Sequence, residues 1–126
     1  MVLAEGCEQS AGVADVLRCL TAYRFDTSSE LRFQDGIASA LRDVSIRYRR
    51  EVALAPKDRI DFLIGSVGLE VKVDGTEMDV LRQLMRYAQS DQVSALVLVT
   101  NRSKHSQMPD SLQGKPLSVY LQGGLS

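Results

Sequence analysis

The sequence has few of the residues that cross-link or anchor small secreted domains. Among 126 residues there are no tryptophans, one histidine, three prolines and two cysteines. Cys7 and Cys19 fall in one predicted helix about three turns apart, too far for a disulfide within that helix. We therefore expect two free thiols, a reducing compartment and a fold that needs no covalent cross-link.

Long apolar runs are also absent. No stretch approaches the ~20 apolar residues that span a membrane, and residues 1–10 lack the basic start and apolar stretch of a secretory signal. The sequence therefore predicts a cytoplasmic protein with no membrane partner. The net charge of −1 at pH 7 excludes the strongly basic surface of many nucleic-acid binders, so any affinity for DNA must be local.

What remains is the composition of a globular protein, with 44% hydrophobic and 25% charged residues. A chain of this length forms one core, so we predict a single domain over residues 1–126, with its core from about 28 to 121. Residues 1–26 are predicted to be an N-terminal helical extension, because apolar residues recur at helical spacing from near Glu8 to Ala22.

Two further helices are indicated by capping residues followed by apolar faces. Thr27 and Glu30 have the spacing of a capping box before a helix whose apolar face continues to Leu41. Thr76 and Asp79 open another helix in the same way. The apolar face of that helix is predicted to comprise Met78, Leu81, Leu84, Met85 and Ala88.

Alternating apolar and polar residues predict strands at Ser45 to Leu54 and Arg59 to Ile64, then a tight turn into Leu69 to Val73. These three strands should form an antiparallel hairpin or meander. The continuous apolar run from Val93 to Thr100 predicts a central strand, buried on both faces and parallel to a neighbour.

The last part of the sequence is predicted to contain a long loop and one strand. The loop runs from Asn101 to Pro116 because this stretch is polar and holds two prolines and a glycine. The strand lies near Leu117 to Leu121. The predicted order of elements is α-α-β-β-β-α-β-β, which is an α/β fold.

The predicted hairpin places two acids and an amine together. With a two-residue loop between Gly65 and Gly68, Asp61 faces Lys72 and lies diagonal to Glu70. The opposite side is then an unbroken apolar face that packs on the core: Ile60, Phe62, Ile64, Leu69, Val71 and Val73. Two carboxylates beside an amine suit phosphodiester hydrolysis, because Mg²⁺ prefers oxygen ligands and stabilises charge on the phosphate. The structural alternative is an ion pair between Asp61 and Lys72 on a solvated sheet face.

A family resemblance favours the catalytic alternative. The segments Ile60 to Ile64 and Leu69 to Val73 resemble the second and third strands of PD-(D/E)XK nucleases, with Ile60 where that family's motif has proline. Gln83 and Tyr87, four residues apart, resemble the Q-x-x-x-Y motif of the RecB and lambda-exonuclease branch. The resemblance covers about seventy residues and implies a restriction-endonuclease-like α-β-β-β-α-β core, in which a mixed sheet is flanked by helices.

The resemblance also implies an activity and roles for individual residues. It suggests a Mg²⁺- or Mn²⁺-dependent deoxyribonuclease, exonucleolytic or end-processing, in which Asp61 and Glu70 bind metal, the carbonyl of Val71 completes its shell and Lys72 assists the water. Glu30 would add a further acid. Gln83 and Tyr87 would position the substrate strand or the lysine, and an oligomer or a partner protein would add grip on DNA.

Two alternatives stay open at this stage: a catalytically inactive nucleic-acid-binding or assembly module of the same fold, and a dimeric junction-resolving or restriction-type endonuclease. Arg47 and Arg49 are local candidates for DNA contact, although a charged edge strand explains them equally well. Arg102 and Lys104 in the long loop are further candidates. His105, in the same polar loop, is predicted to be solvated and is not assigned a role.

Overall fold

The computed structural model describes residues 11–123. The predicted helix start near Glu8, the cysteine at position 7 and the tail after Gly123 lie outside the described residues. Within this range the chain forms the three predicted helices and one short 3-10 turn. They are α1 (Val13–Thr21), α2 (Glu30–Asp43), α3 (Glu77–Ala88) and the 3-10 turn Ser103–Ser106.

Side chains cap α2 and α3 at their first turns. Ser29 is the N-cap of α2, and its hydroxyl accepts a first-turn backbone amide at 3.1 Å. The predicted capping box from Thr27 is therefore wrong, because Glu30 is the first helical residue rather than the third. Thr76 caps α3 by accepting the Asp79 amide at 3.1 Å, which confirms the predicted start of that helix.

Six strands in the described range form one mixed sheet in the order β1-β2-β3-β4-β6-β5. They are β1 (Arg49–Ala55), β2 (Asp58–Ile64), β3 (Val67–Lys72), β4 (Ala95–Thr100), β5 (Ser111–Leu112) and β6 (Lys115–Leu121). The antiparallel meander β1-β2-β3 is confirmed, and β4 is buried throughout and parallel to both β3 and β6. The predicted loop from Asn101 to Pro116 instead holds the 3-10 turn and β5, which pairs with β6.

Helices cover both faces of the sheet. The core under α1 and α2 includes Val16, Leu20, Phe33, Ile37, Leu41, Phe62, Ile64, Leu69, Val71, Val97 and Val99. The core under α3 includes Ile60, Leu63, Val80, Leu84, Tyr87, Ala88, Leu96 and Leu98. The described residues thus form a single small α/β domain, and no helix among them is long and apolar enough to cross a bilayer.

The buried face of α3 differs from the predicted one. Val80, Leu84, Tyr87 and Ala88 are buried against the sheet, whereas the side chain of Met78 is 54% exposed. Met85 is exposed as well. The helix is therefore rotated about its axis relative to the expected apolar stripe, and this rotation carries Tyr87 into the core.

The turn of the β2–β3 hairpin lies one residue earlier than predicted. Ile64 pairs with Val67, so the two-residue turn is Gly65 and Ser66. Gly65 has a left-handed φ of 61°, which glycine adopts without steric cost. Each residue of β2 consequently faces a β3 residue two positions earlier than expected. Because the shift is two residues, each side chain of β3 stays on the predicted face.

At Asp61 the alternation of side chains between the two faces of the sheet is interrupted. Phe62 packs in the core under α1 and α2, whereas Ile60, two residues earlier, packs under α3. Opposite Asp61 lies Glu51, which has a left-handed φ of 55° in the middle of β1. The predicted apolar face running unbroken through Ile60 is therefore wrong, because the alternation of faces is interrupted where Asp61 sits.

Candidate functional site

The candidate site lies where β2 separates from β3. Backbone pairing between β2 and β3 ends at Phe62 and Leu69. Beyond this pair, backbone amides of the two strands donate to carboxylate side chains instead. Oδ2 of Asp61 accepts the Val71 amide at 2.8 Å, and Oε1 of Glu70 accepts the Asp61 amide at 3.1 Å. Two carboxylates therefore occupy the fork between the strands in place of the missing ladder bonds.

Lys72 brings an ammonium group to the same place. Its Nζ lies 3.5 Å from Oε2 of Glu70, and the side chains are 21% and 4% exposed. Two residues apart in one strand, they project from the same face. The sequence predicted Asp61 as the residue facing the lysine. That detail is wrong, because the observed register brings Glu70 level with Asp61.

Burial raises the pKa of both carboxyl groups. Desolvation is the largest cause for Glu70, whose pKa is about 8; the negative charge of Asp61 adds to it, and the Lys72 ammonium opposes it. Desolvation is also the largest cause for Asp61, whose pKa is about 6 although the hydrogen bond from the Val71 amide lowers it. Without a cation, Glu70 is therefore predominantly protonated at neutral pH.

Glu30 reaches the same fork from the first turn of α2. Its Oε2 accepts the amide of Val73 at 3.1 Å, directly after Lys72. The negative charge of Glu30 is one of the smaller causes of the raised pKa of Asp61. The half-buried side chain thus lies at the rim of the site and holds the backbone at the end of β3.

Tyr87 closes the site from the side of α3. The side chain is 0% exposed, and its hydroxyl lies 2.9 Å from the carbonyl oxygen of Arg59 and 3.3 Å from Oε2 of Glu70. Burial is the largest cause of its raised pKa, so the phenol stays neutral and can donate. Gln83, one turn earlier, is half-buried. The two predicted motif residues therefore differ, since Tyr87 touches the acidic cluster directly and is deeply buried.

The donor set suits one hard divalent cation held by two carboxylates. Among residues 11–123, no three His, Cys, Asp or Glu side chains converge closely enough to form a ready-made metal cage. Asp61 and Glu70 nevertheless suit a shared cation, because positive charge between them would offset both their burial and their mutual repulsion. Val71, predicted to offer its carbonyl, is seen here donating its amide to Asp61.

The predicted DNA-contacting residues lie in different places. Arg47 and Arg49 are exposed just before β1 and at its first position. Arg102 donates to the Val73 carbonyl at 2.8 Å, so its guanidinium also braces the backbone beside Lys72. Lys104 is exposed in the 3-10 turn. These four cations therefore do not form one continuous patch with the acidic cluster.

His105 is not solvated as predicted. The residue is 0% exposed, and burial is the largest cause of its lowered pKa. Within residues 11–123, neither of its ring nitrogens has a hydrogen-bond partner. The burial was not predictable because the neighbours of His105 in sequence are polar: Ser103, Lys104 and Ser106. In the 3-10 turn that they form, His105 points inward and is the buried residue.

Glu51 is a site-proximal residue that the sequence analysis missed. Its negative charge is among the causes of the raised pKa of Asp61, ranked above the opposing effect of Lys72. The side chain is exposed at the edge of the sheet. A β1–β2 register counted from the turn at Pro56 and Lys57 would have placed Val52 opposite Asp61, because it could not include the register shift between Ala53 and Ala55.

The structure thus brings Asp61, Glu70, Lys72 and Tyr87 into one cluster, with Glu30 at its rim. Comparisons with protein-family models, curated proteins and solved structures find no significant match to this chain. The function is therefore inferred from the geometry and chemistry of the cluster.

Proposed function

We propose that this chain is a Mg²⁺- or Mn²⁺-dependent deoxyribonuclease with a restriction-endonuclease-like core of the PD-(D/E)XK type. The observation that carries the proposal is the pair of buried carboxyls, Asp61 and Glu70, in the fork between β2 and β3, with the Lys72 ammonium 3.5 Å from Glu70. The element order from α2 to β4, α-β-β-β-α-β, is compatible with it.

Burial of the acids gives the proposal its physical basis. Two neighbouring acids in a buried fork are costly to ionise even with the amide and ammonium partners they have, and a bound cation would relieve that cost. Oδ1 of Asp61 and the remaining lone pairs of Glu70 are the atoms we assign to a cation. Bound there, the cation would supply positive charge to a phosphate oxygen and to the attacking water.

The other residues act around these acids. Lys72 donates hydrogen bonds from its ammonium to a phosphate oxygen and stabilises the negative charge that develops during hydrolysis. Tyr87 fixes the rotamer of Glu70 through the contact at Oε2. Glu30 and Arg102 hold the amide and the carbonyl of Val73, which fixes the backbone beside Lys72. We assign Gln83 to substrate positioning on the basis of its place one turn before Tyr87.

The decisive experiment is cleavage of linear, circular and branched DNA by the full chain, with Mg²⁺ or Mn²⁺ and with chelator. We expect cleavage that needs metal; restriction to linear DNA would identify an exonuclease, and preference for branches a junction-resolving enzyme. An Asp61→Asn preparation purified in parallel is the matched control for contaminating nuclease. No metal-dependent cleavage of any of the three substrates would overturn the proposal.

A second candidate, a catalytically inactive DNA-binding or assembly module, is favoured by one observation. Oxygens of Glu70 already contact the Asp61 amide, the Tyr87 hydroxyl and the Lys72 ammonium, so the chain's own groups can satisfy this buried acid. This candidate predicts DNA binding that is unaffected by chelator together with no cleavage. A homo-oligomer or a partner protein would extend the contact with DNA in either case, and light scattering of the chain with and without DNA would detect it.

A further inference from the structure

A groove lies at the end of α2 opposite Glu30. Its volume is about 600 Å³. The residues that line it are Arg42, Ser45, Ile46, Arg47 and Tyr48. Two arginines and a tyrosine therefore line one shallow groove that is open to solvent, although the net charge of the whole chain is −1.

The reversal of the chain after α2 builds this groove. Ser45 has a left-handed φ of 61°, its amide donates to the Arg42 carbonyl at 3.0 Å, and the amide of Ile46 donates to the Leu41 carbonyl at 2.9 Å. This is the pattern of a Schellman motif, which ends a helix and satisfies its last carbonyls. The next residues, Arg47 and Tyr48, thereby line the same cavity as the last turn of the helix.

The positive charges in the groove have no acidic partners. Among the described residues, neither Arg42 nor Arg47 forms a salt bridge, whereas Arg18 and Arg32 each have one. Arg24, Arg49 and Arg59 lack one as well, so the distinguishing feature of the groove is that two such arginines line one surface. Arg42 donates to the Tyr48 hydroxyl at 2.6 Å, which orients its guanidinium and uses one of five N–H donors. Free, oriented guanidinium donors match the oxygens of a phosphate group.

Two sources of negative charge lie close to the groove. Asp43 follows Arg42 but is not among the residues that line the groove, and its charge contributes to the raised pKa of Cys19 in α1. The C-terminal end of a helix carries partial negative charge. Here the carbonyls of Leu41 and Arg42 already accept backbone amides in the Schellman motif, which leaves the two guanidinium groups as the charged groups that line the groove.

We infer that the groove binds the sugar-phosphate backbone of the DNA whose cleavage is proposed above, so this inference rests on the proposed function. Twelve residues of α2 separate Glu30 from Arg42, which is about 18 Å of helix. This length corresponds to roughly five base pairs of duplex. A duplex that lies along α2 would therefore meet the groove a few base pairs from the scissile phosphate, where the two arginines add contacts that the acidic cluster cannot make.

The test measures binding separately from cleavage. The full chain in chelator is titrated into a fluorescent DNA duplex of about 20 base pairs, long enough to reach both places, at several salt concentrations. The variant is Arg42→Ala with Arg47→Ala. The matched control is Arg18→Ala with Arg32→Ala, which removes the same charge from exposed arginines elsewhere. Arg47→Ala alone is included, because it leaves the Arg42–Tyr48 hydrogen bond in place.

We expect the groove double variant to bind DNA at least about tenfold more weakly than the parent. The plot of log affinity against log salt concentration should be shallower by the equivalent of about two phosphate contacts. Arg47→Ala alone should lose about one contact, and the control should bind almost as the parent does. Parental affinity in the groove variant, or an equal loss in the control, would overturn the inference. Tighter binding of polyglutamate than of competitor duplex at matched charge concentration would also overturn it, since the groove would then be a site for acidic proteins.

The outcomes also separate this inference from the proposed function. If cleavage needs metal but DNA binding does not depend on the groove, the nuclease proposal stands and the inference about the groove is wrong. If DNA binding depends on the groove but no DNA is cleaved, the nuclease proposal is wrong and the groove is a DNA-binding surface.

Discussion

Tyr87 places its hydroxyl 3.3 Å from Oε2 of Glu70 and thereby joins the buried face of α3 to the candidate site. The hydroxyl has one proton, and the carbonyl oxygen of Arg59 is closer, at 2.9 Å. The shorter contact therefore takes the proton while Glu70 is protonated, and the hydroxyl can turn to donate to Oε2 when Glu70 is ionised. The first arrangement suits a protonated Glu70, which agrees with its raised pKa.

Replacement of Tyr87 by phenylalanine should affect both stability and activity. The change leaves the carbonyl of Arg59 without its partly buried hydroxyl donor, a loss of about 1 kcal/mol in the free energy of unfolding. Cleavage should fall by roughly 10–100-fold, because Glu70 loses a contact that fixes its rotamer. Urea unfolding and single-turnover cleavage measure the two effects.

Gln83→Ala serves as the comparison for Tyr87→Phe. Gln83 is half-buried, so its loss should cost little stability while reducing cleavage to an intermediate extent. Undiminished cleavage in both variants would remove the RecB-branch assignment and leave only the wider nuclease proposal.

Asp61→Asn should abolish cleavage and leave the fold intact. An asparagine carbonyl can still accept the Val71 amide, while the charge assigned to the cation is lost. We expect a fall in rate of roughly 10³-fold or more, with unfolding free energy equal to that of the parent or higher, since a buried charge is removed. Asp91→Asn, in an exposed turn, is the control and should cleave as the parent does. Cleavage by Asp61→Asn at the parental rate would show that the site is misassigned.

Lys72→Ala should lower turnover by roughly 10²-fold or more, because an ammonium that stabilises the transition state is lost. Loss of the ammonium also raises the pKa of Glu70 further, so metal affinity is compared over several pH values and extrapolated to ionised Glu70, where it should change little. Calorimetric titration with Mg²⁺ measures that affinity, since Mn²⁺ oxidises in alkaline solution. Loss of metal binding in Lys72→Ala would instead indicate that the lysine has a structural role in holding Glu70.

The sequence predicted the elements better than it predicted their faces. The apolar run at β4 and the alternation in β1, β2 and β3 were sufficient for the mixed sheet, because burial on one or two faces imposes these patterns. The exchange of faces at Asp61 could not be predicted. It accompanies a left-handed Glu51, and glutamate gives no signal for that conformation as glycine would.

The rotation of α3 was also beyond the sequence. Methionine side chains are more hydrophobic than tyrosine, yet Met78 and Met85 are exposed and Tyr87 is buried. The phenol can be buried because Arg59 offers a carbonyl oxygen, and that partner exists only in the folded chain. The proximity of Asp61, Glu70 and Lys72 was predictable, because a register shift by two residues keeps them together.

The stability of the metal-free protein should fall as pH rises. The pKa of Glu70 is raised in the folded state from 4.5 to about 8, so folding is favoured while the group is protonated. This contribution is complete below about pH 4.5 and is lost as pH rises through about 8. Between about pH 5 and pH 8 we expect a loss on the order of 3–4 kcal/mol, measured by urea unfolding in chelator.

Glu70→Gln is the control for this pH dependence, because glutamine can accept the Asp61 amide but does not titrate. Its stability should vary less over the same range. Mg²⁺ should stabilise the parent more at pH 8 than at pH 5, since a cation competes with the proton. An identical pH slope in the parent and in Glu70→Gln would assign the effect to other groups.

The last prediction concerns Glu30, for which a helix cap and a metal-site role were the competing interpretations. The cap is Ser29, and the carboxylate of Glu30 instead accepts the Val73 amide at 3.1 Å beside the acidic cluster. Glutamine keeps an oxygen that can accept this amide but carries no charge. Glu30→Gln should therefore unfold within about 0.5 kcal/mol of the parent and cleave DNA at least roughly tenfold more slowly. Ser29→Ala is the matched structural control: it should lose about 1 kcal/mol of stability and cleave normally well below its melting temperature. Parental cleavage by Glu30→Gln would limit Glu30 to bracing the end of β3, whereas slow cleavage with parental stability would assign its charge to the reaction.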